Sequence, residues 1–218
     1  MDAARLRGRS MKPLEMRHLE TVPGSSDSSV DLYDKYLQKA IAEINELADE
    51  IARAAGEGRV PVLGSGHPLA DVLLLKHAPQ PSEVQEGVAF YGRAGQAILK
   101  SLQRLRVDPM AVYGTNCLKF ADGDPDEARP WLARELHIVQ PKLVVVMGED
   151  ALGFLNDLEF PLAGPVEPAL GELQPFTPTI QALHVPDIDA SLDEQRSKTR
   201  FWNAFKALGP WWAELPPY

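Results

Sequence analysis

Lys142-Leu143-Val144-Val145-Val146-Met147, followed at once by Gly148-Glu149-Asp150-Ala151-Leu152, is the stretch that sets the fold class. Three consecutive valines in so short an apolar run, with no polar residue alternating, mark a strand covered on both faces. The residues behind it, Glu149 to Leu158, have helical spacing. Upstream, Asp71-Val72-Leu73-Leu74-Leu75 is a second short buried run, and Gly95 to Leu105 follows with Ile98, Leu99, Leu102 and Leu105 on one helical face. Met110 to Gly114 is a weaker strand, and Asp126 to Val139 is helical, with Pro130 expected in its first turn. Downstream, Thr179-Ile180-Gln181-Ala182-Leu183 is a further strand and a last helix runs from about Leu192 to Leu208. Strands alternating with helices imply right-handed crossovers and a parallel sheet with helices on both sides, an α/β/α sandwich.

At the ends the pattern changes. Tyr33, Leu37, Ala40, Ile44, Leu47 and Ile51 repeat at helical steps and end near Gly56. Residues 1–30, closing on Pro23-Gly24-Ser25-Ser26, have no period and are expected to form a flexible leader before a single domain, 31–218. The five prolines between Glu159 and Pro178 point to a loop or short hairpin, and Trp211 and Trp212 to aromatics that cap the core.

The chain has 218 residues, 44% hydrophobic and 24% charged, as expected for a globular domain with a full core. No apolar run reaches the roughly 20 residues that cross a bilayer, and Met1 to Ser10 has arginines but no apolar stretch behind them. A cytoplasmic monomer without a membrane partner is expected. Cys117, the only cysteine, forms no internal disulfide and no thiolate-ligated metal site. The net charge of −9 argues against a broad basic face of the kind that grips phosphate.

Ligands of open α/β sheets bind beyond the carboxyl ends of the strands. Those ends lead into Lys76-His77-Ala78-Pro79-Gln80, Thr115-Asn116, Gly148-Glu149 and His184-Val185-Pro186. Two histidines and an asparagine on one rim suggest a polar site, although each alone reads equally well as a structural hydrogen-bonder or turn residue. Gly64-Ser65-Gly66 precedes a strand instead of joining a strand to a helix, so it is no dinucleotide fingerprint.

The block Lys76-His77-Ala78-Pro79-Gln80, the acidic Glu83 to Glu86 and then Gly87-Val88-Ala89-Phe90-Tyr91-Gly92-Arg93-Ala94-Gly95 resembles the first motif of the uracil-DNA glycosylase superfamily. The likeness is to its iron–sulfur bacterial branch, where that block reads Gly-Glu-Ala-Pro-Gly and then Phe-x-Gly-x-x-Gly. It continues through Val112-Tyr113-Gly114-Thr115-Asn116-Cys117-Leu118-Lys119, then Arg129-Pro130-Trp131-Leu132, and reaches His184. The resemblance implies a four-stranded parallel sheet with its strands, numbered along the chain, in the order 2-1-3-4. It implies that Phe90 stacks on a flipped base, that Ala78 and Pro79 border it, that Asn116 reads its polar edge, and that His184 donates to its developing oxyanion.

Departures from the family pattern run through the same blocks. His77 stands where the family has a water-directing glutamate, and Lys76 and Gln80 replace glycines, which narrows the pocket mouth. The second motif, His-Pro-Ser in the family, is His184-Val185-Pro186-Asp187. The cluster cysteines fall on the helix near Ala48 to Arg53, on Phe120 and near Ala128, so no iron–sulfur cluster and no other cofactor is expected. The segment Asp187 to Glu194 carries four acids in eight residues, which repel phosphate. These features imply weakened hydrolysis of the N-glycosidic bond of uracil, or a related damaged base, in DNA, with single strands favoured and His77 and His184 as the catalytic pair. The alternative is a non-catalytic binding or interaction module on the same fold.

Overall fold

A computed structural model describes residues 26–216. Its first helix, α1 (Ser26–Ala54), begins before the expected leader ends, and residues 1–25 lie outside the described part. The two-residue strand β1 (Ser65–Gly66) follows, then β2 (Val72–Lys76), α2 (Pro81–Glu86), α3 (Arg93–Leu105) and β3 (Val112–Asn116). The remaining elements are α4 (Pro125–Val139), β4 (Leu143–Met147), α5 (Glu149–Asn156), β5 (Leu173–Pro175), β6 (Gln181–Val185), α6 (Ile188–Ser191), α7 (Gln195–Phe205) and α8 (Leu208–Ala213).

The four long strands are parallel neighbours in the order β3-β2-β4-β6, which is the expected 2-1-3-4 arrangement. Two antiparallel additions make it a mixed six-stranded sheet: β1 on β3 and β5 on β6. Neither was legible as a strand, because one is two residues of a glycine-rich turn and the other ends in Pro175, which belongs on an edge.

Two strands start later than their apolar runs suggest. The Asp108 carboxylate accepts from the Met110 amide at 2.9 Å and starts a short 3₁₀ turn, so β3 runs from Val112 through Asn116. The Thr177 hydroxyl accepts from the amides of Thr179 and Ile180, at 3.2 and 3.0 Å, which turns the chain and delays β6 to Gln181. The expected last helix is the shorter α7, with α6 ending just before it and α8 beginning where it was expected to end, and Trp211 is buried with its indole donating to Gln181 Oε1 at 2.6 Å.

Alternation along each strand divides the core in two. Leu73, Leu75, Val144, Val146 and Ala182 pack under α1, α4 and α5, whereas Val72, Leu74, Val145, Met147, Leu183 and Val185 pack under α3, α7 and α8. Leu47 and Ile51 of α1 share the first cluster with Phe120, Ala128 and Trp131, and the Phe120 and Trp131 rings meet edge to face, centroids 6.0 Å apart. The Arg59 guanidinium lies 3.8 Å from the Phe120 ring centroid. Of the positions that the family resemblance gives to cluster cysteines, Phe120 and Ala128 are apolar packing and the stretch from Ala48 to Arg53 holds no thiol, with Glu50 accepting from the Trp131 indole, so the residues present do not fit an iron–sulfur cluster. Truncating Phe120→Ala leaves a cavity at this junction of α1 and α4. It should lower the unfolding free energy by about 3–5 kcal/mol in urea or guanidinium titrations.

Candidate active site

The site is framed by the last rung of the parallel strands. Asn116 pairs with Lys76, Lys76 with Met147, and Met147 with Val185. Alternation gives all four the same sheet face as Val72, Leu74 and Val112, the face that α3, α6 and α7 cover. Two of these four positions are polar, and both are buried: Asn116 is 0% exposed and Lys76 1%.

Lys76 is held by two carboxylates. Its ammonium donates to Glu83 Oε2 at 2.9 Å and to Asp189 Oδ2 at 2.7 Å. Glu83, in α2 just after β2, is itself buried and also accepts from the amide of Gln80, at 2.7 Å, and from that of Phe90. Three donors on one carboxylate fix the whole turn between strand and helix. They also hold Phe90 in a left-handed backbone conformation, φ 61°, that few non-glycine residues adopt. Its ring lies across β3, where a Cβ on Gly114 would sit 2.6 Å from the ring edge, and its carbonyl occupies the space of a side chain at Gly95. That is the physical content of the Phe-x-Gly-x-x-Gly spacing. The Lys76 ammonium is 5.2 Å from the Phe90 ring centroid. Phe90 also borders a groove of about 500 Å³ with Tyr91, Leu99 and Gly114.

Asn116 is positioned from below. Lys119, also buried, donates to the Asn116 carbonyl at 2.8 Å, to the Thr115 hydroxyl at 2.8 Å and to Glu135 at 2.5 Å, while Thr115 and Tyr113 donate to Glu135. The backbone is thus anchored, yet both ends of the Asn116 side-chain amide are buried without a hydrogen-bond partner. A buried unpaired polar group costs about 1–3 kcal/mol, so a rigidly mounted one has the character of a ligand seat.

The two histidines stand elsewhere. His184 lies one rung below the strand end, opposite Val146, and alternation gives it the face of Ala182. Val185, one residue on, takes the place beside Met147 on the face of Asn116. His184 is buried with neither ring nitrogen partnered, and a cleft of about 250 Å³ alongside it is bounded by Glu149, Asp187 and Arg200. His77 packs edge to face on Phe154 of α5, centroids 6.5 Å apart, again on the far face. Ala78 is half-buried against the α5-side core and Pro79 is buried. The structure thus brings together Phe90 and Lys76 on the face of Asn116, and does not bring His77 or His184 into that cluster. Sequence reading missed Glu83 and Asp189, taken only as members of acidic stretches. The signal was their position, one seven residues after the strand end and one within the second-motif segment.

The family model described as the uracil DNA glycosylase superfamily matches residues 63–208, about two thirds of the chain. The protein belongs to that superfamily. Its similarity lies with the type-4 branch. The type-4 uracil-DNA glycosylase of Archaeoglobus fulgidus is 26% identical over 159 residues, covering 68% of this chain and 80% of that protein. That of Sulfurisphaera tokodaii is 29% identical over 103 residues, 43% of this chain and 47% of its own length.

Burial holds the His184 pKa below the ordinary imidazole value. The nearby Glu149 carboxylate and the carbonyl side of Pro168 and Gly148, outside hydrogen-bonding geometry, pull the other way but do not outweigh it. Below the ordinary histidine pKa of about 6.5 the unfolded chain therefore takes up a proton that the folded one refuses, and stability falls as pH falls through that window. Wild type should lose stability relative to His184→Asn between pH 7 and the depressed folded value, as read from denaturant titrations at a series of pH values. A constant difference across that range would mean that His184 titrates normally.

Proposed function

We propose that the protein recognises uracil, or a related damaged base, in DNA and hydrolyses its N-glycosidic bond slowly, with single strands favoured. The observation that carries this reading is the Asn116 amide, buried, rigidly mounted and unpaired on the face where the Phe90 ring lies. An amide offers one donor and one acceptor to the edge of a pyrimidine, and a ring offers a stacking surface. The type-4 glycosylases it resembles act on uracil in DNA by name. A slow rate is expected because the near face carries Lys76 and Asn116 but neither of the histidines that the resemblance would use as donor to the departing base and as base for water. The four acids of the Asp187 to Glu194 segment favour a single strand, whose backbone can be led away from them.

The same placement supports a second reading, a binding module that keeps the seat without the chemistry. Abasic-site formation on uracil-containing single- and double-stranded oligonucleotides separates the two. The glycosylase reading expects slow excision, faster on the single strand, and a further loss of roughly 10²–10³-fold in Asn116→Ala. Excision that Asn116→Ala leaves unchanged would remove Asn116 from the site. No excision, with uracil-specific binding intact, gives the binding module.

A further inference from the structure

We propose that Lys76 gates the base site: its ammonium takes the base's place above Phe90 in the resting protein, and a nucleobase enters only when the Lys76–Asp189 ion pair opens. This rests on the reading of Asn116 and Phe90 as a base seat. A base stacked on Phe90 lies about 3.5 Å from the ring, in van der Waals contact across its face. The ammonium, 5.2 Å from the centroid and tied to two carboxylates, stands in that space. Asn116, on the adjoining strand at the same rung, is sealed from solvent with its amide idle. A seat that is formed, unpaired and covered by a neighbouring side chain is a closed seat.

The two ion pairs of Lys76 differ in what can break them. Glu83 is 1% exposed and bound to two backbone amides, so it is fixed. Asp189 is 20% exposed and sits on the four-residue helix α6, within the acidic segment that follows β6. A second pair, Arg93 to Asp193 at 2.5 Å, ties the same segment to the start of α3 at the surface. Both ties run from a cation on the β2–α3 side to an acid on the segment after β6; the Arg93–Asp193 tie lies open to an incoming polyanion, and the Lys76–Asp189 tie is reached from its carboxylate side. A DNA phosphate at this rim repels the Asp189 carboxylate and attracts the ammonium, so backbone contact itself releases the segment. Lys76 then pivots about the fixed Glu83 carboxylate, on its four-carbon stem, toward the phosphate and off the Phe90 face. The acidic segment, which as a fixed surface only opposes DNA, becomes a clasp that DNA opens.

The test compares equilibrium binding of a uracil-containing single-stranded oligonucleotide with its thymine-containing twin, for the full-length wild type, Asp189→Asn and Lys76→Met. The ratio of the two affinities cancels any general gain from a lost negative charge. Asp189→Asn also keeps the buried Lys76–Glu83 pair, so it tests the gate even if Lys76→Met fails to fold. Removing a closed-state tie raises the competent fraction, and the uracil-over-thymine ratio should rise by roughly tenfold or more in Asp189→Asn. Amide hydrogen exchange across residues 187–194 should quicken in the same variant without DNA. A ratio unchanged from a discriminating wild type overturns the gate and leaves the base seat standing. No discrimination by wild type or either variant overturns both. A ratio that falls in Lys76→Met makes Lys76 a base contact and also overturns the gate.

Discussion

The buried pair of Lys76 and Glu83 is the interaction on which the site depends. An ammonium and a carboxylate taken out of water carry a desolvation cost that their mutual attraction offsets only when the remaining polar atoms are also satisfied. Here they are. Glu83 gathers the amides of Gln80 and Phe90 as well as Lys76, and Lys76 completes its shell with Asp189. One carboxylate therefore fixes the turn after β2, the start of α2 and the left-handed backbone of Phe90. Removing it would leave a buried cation half-paired and the Phe90 turn without its anchor, so the chain cannot shed Glu83 while it keeps Lys76.

The second constraint is the two-residue period of a strand. Asn116, Lys76, Met147 and Val185 form one rung on one face, and a shift of a single residue moves a side chain through the sheet. His184 is such a case: one residue separates it from Pro186, and that residue, Val185, holds the near-face place. His77, one residue beyond the end of β2, likewise turns to Phe154. His77 thus serves the α5 side of the sheet, and His184 opens on a cleft that Glu149 shares with Asp187 and Arg200. On the near face an ammonium and an amide remain, one paired on two sides and one on none.

The fold was legible because its central strands are short runs of Val and Leu that only a doubly covered sheet can bury, and their order came with the motif resemblance. The placement of two residues set by local chain geometry was legible too: Phe90 through its glycines and Asn116 through its strand end. Thr177 and Asp108 were not, since capping by a single side-chain oxygen leaves no period, and each moved a strand boundary by two residues. The Lys76–Asp189 contact joins residues 113 positions apart, which no spacing in the sequence announces. The face of His184 was hidden for a related reason. It turns on where a strand ends, and boundaries are the weakest part of any reading from periodicity.

The central claim is that Lys76 rests as a buried, doubly ion-paired ammonium that closes the base seat. Nitrogen-15 NMR of its side chain tests this most directly. Surface lysine ammonium protons exchange with water too fast to be seen at neutral pH, whereas a buried, hydrogen-bonded ammonium exchanges slowly. The account predicts a protected Lys76 signal in the free protein that moves or vanishes on titration with a uracil-containing single strand. A Lys76 ammonium that exchanges like those on the surface, or one that a bound uracil strand leaves untouched, would contradict it.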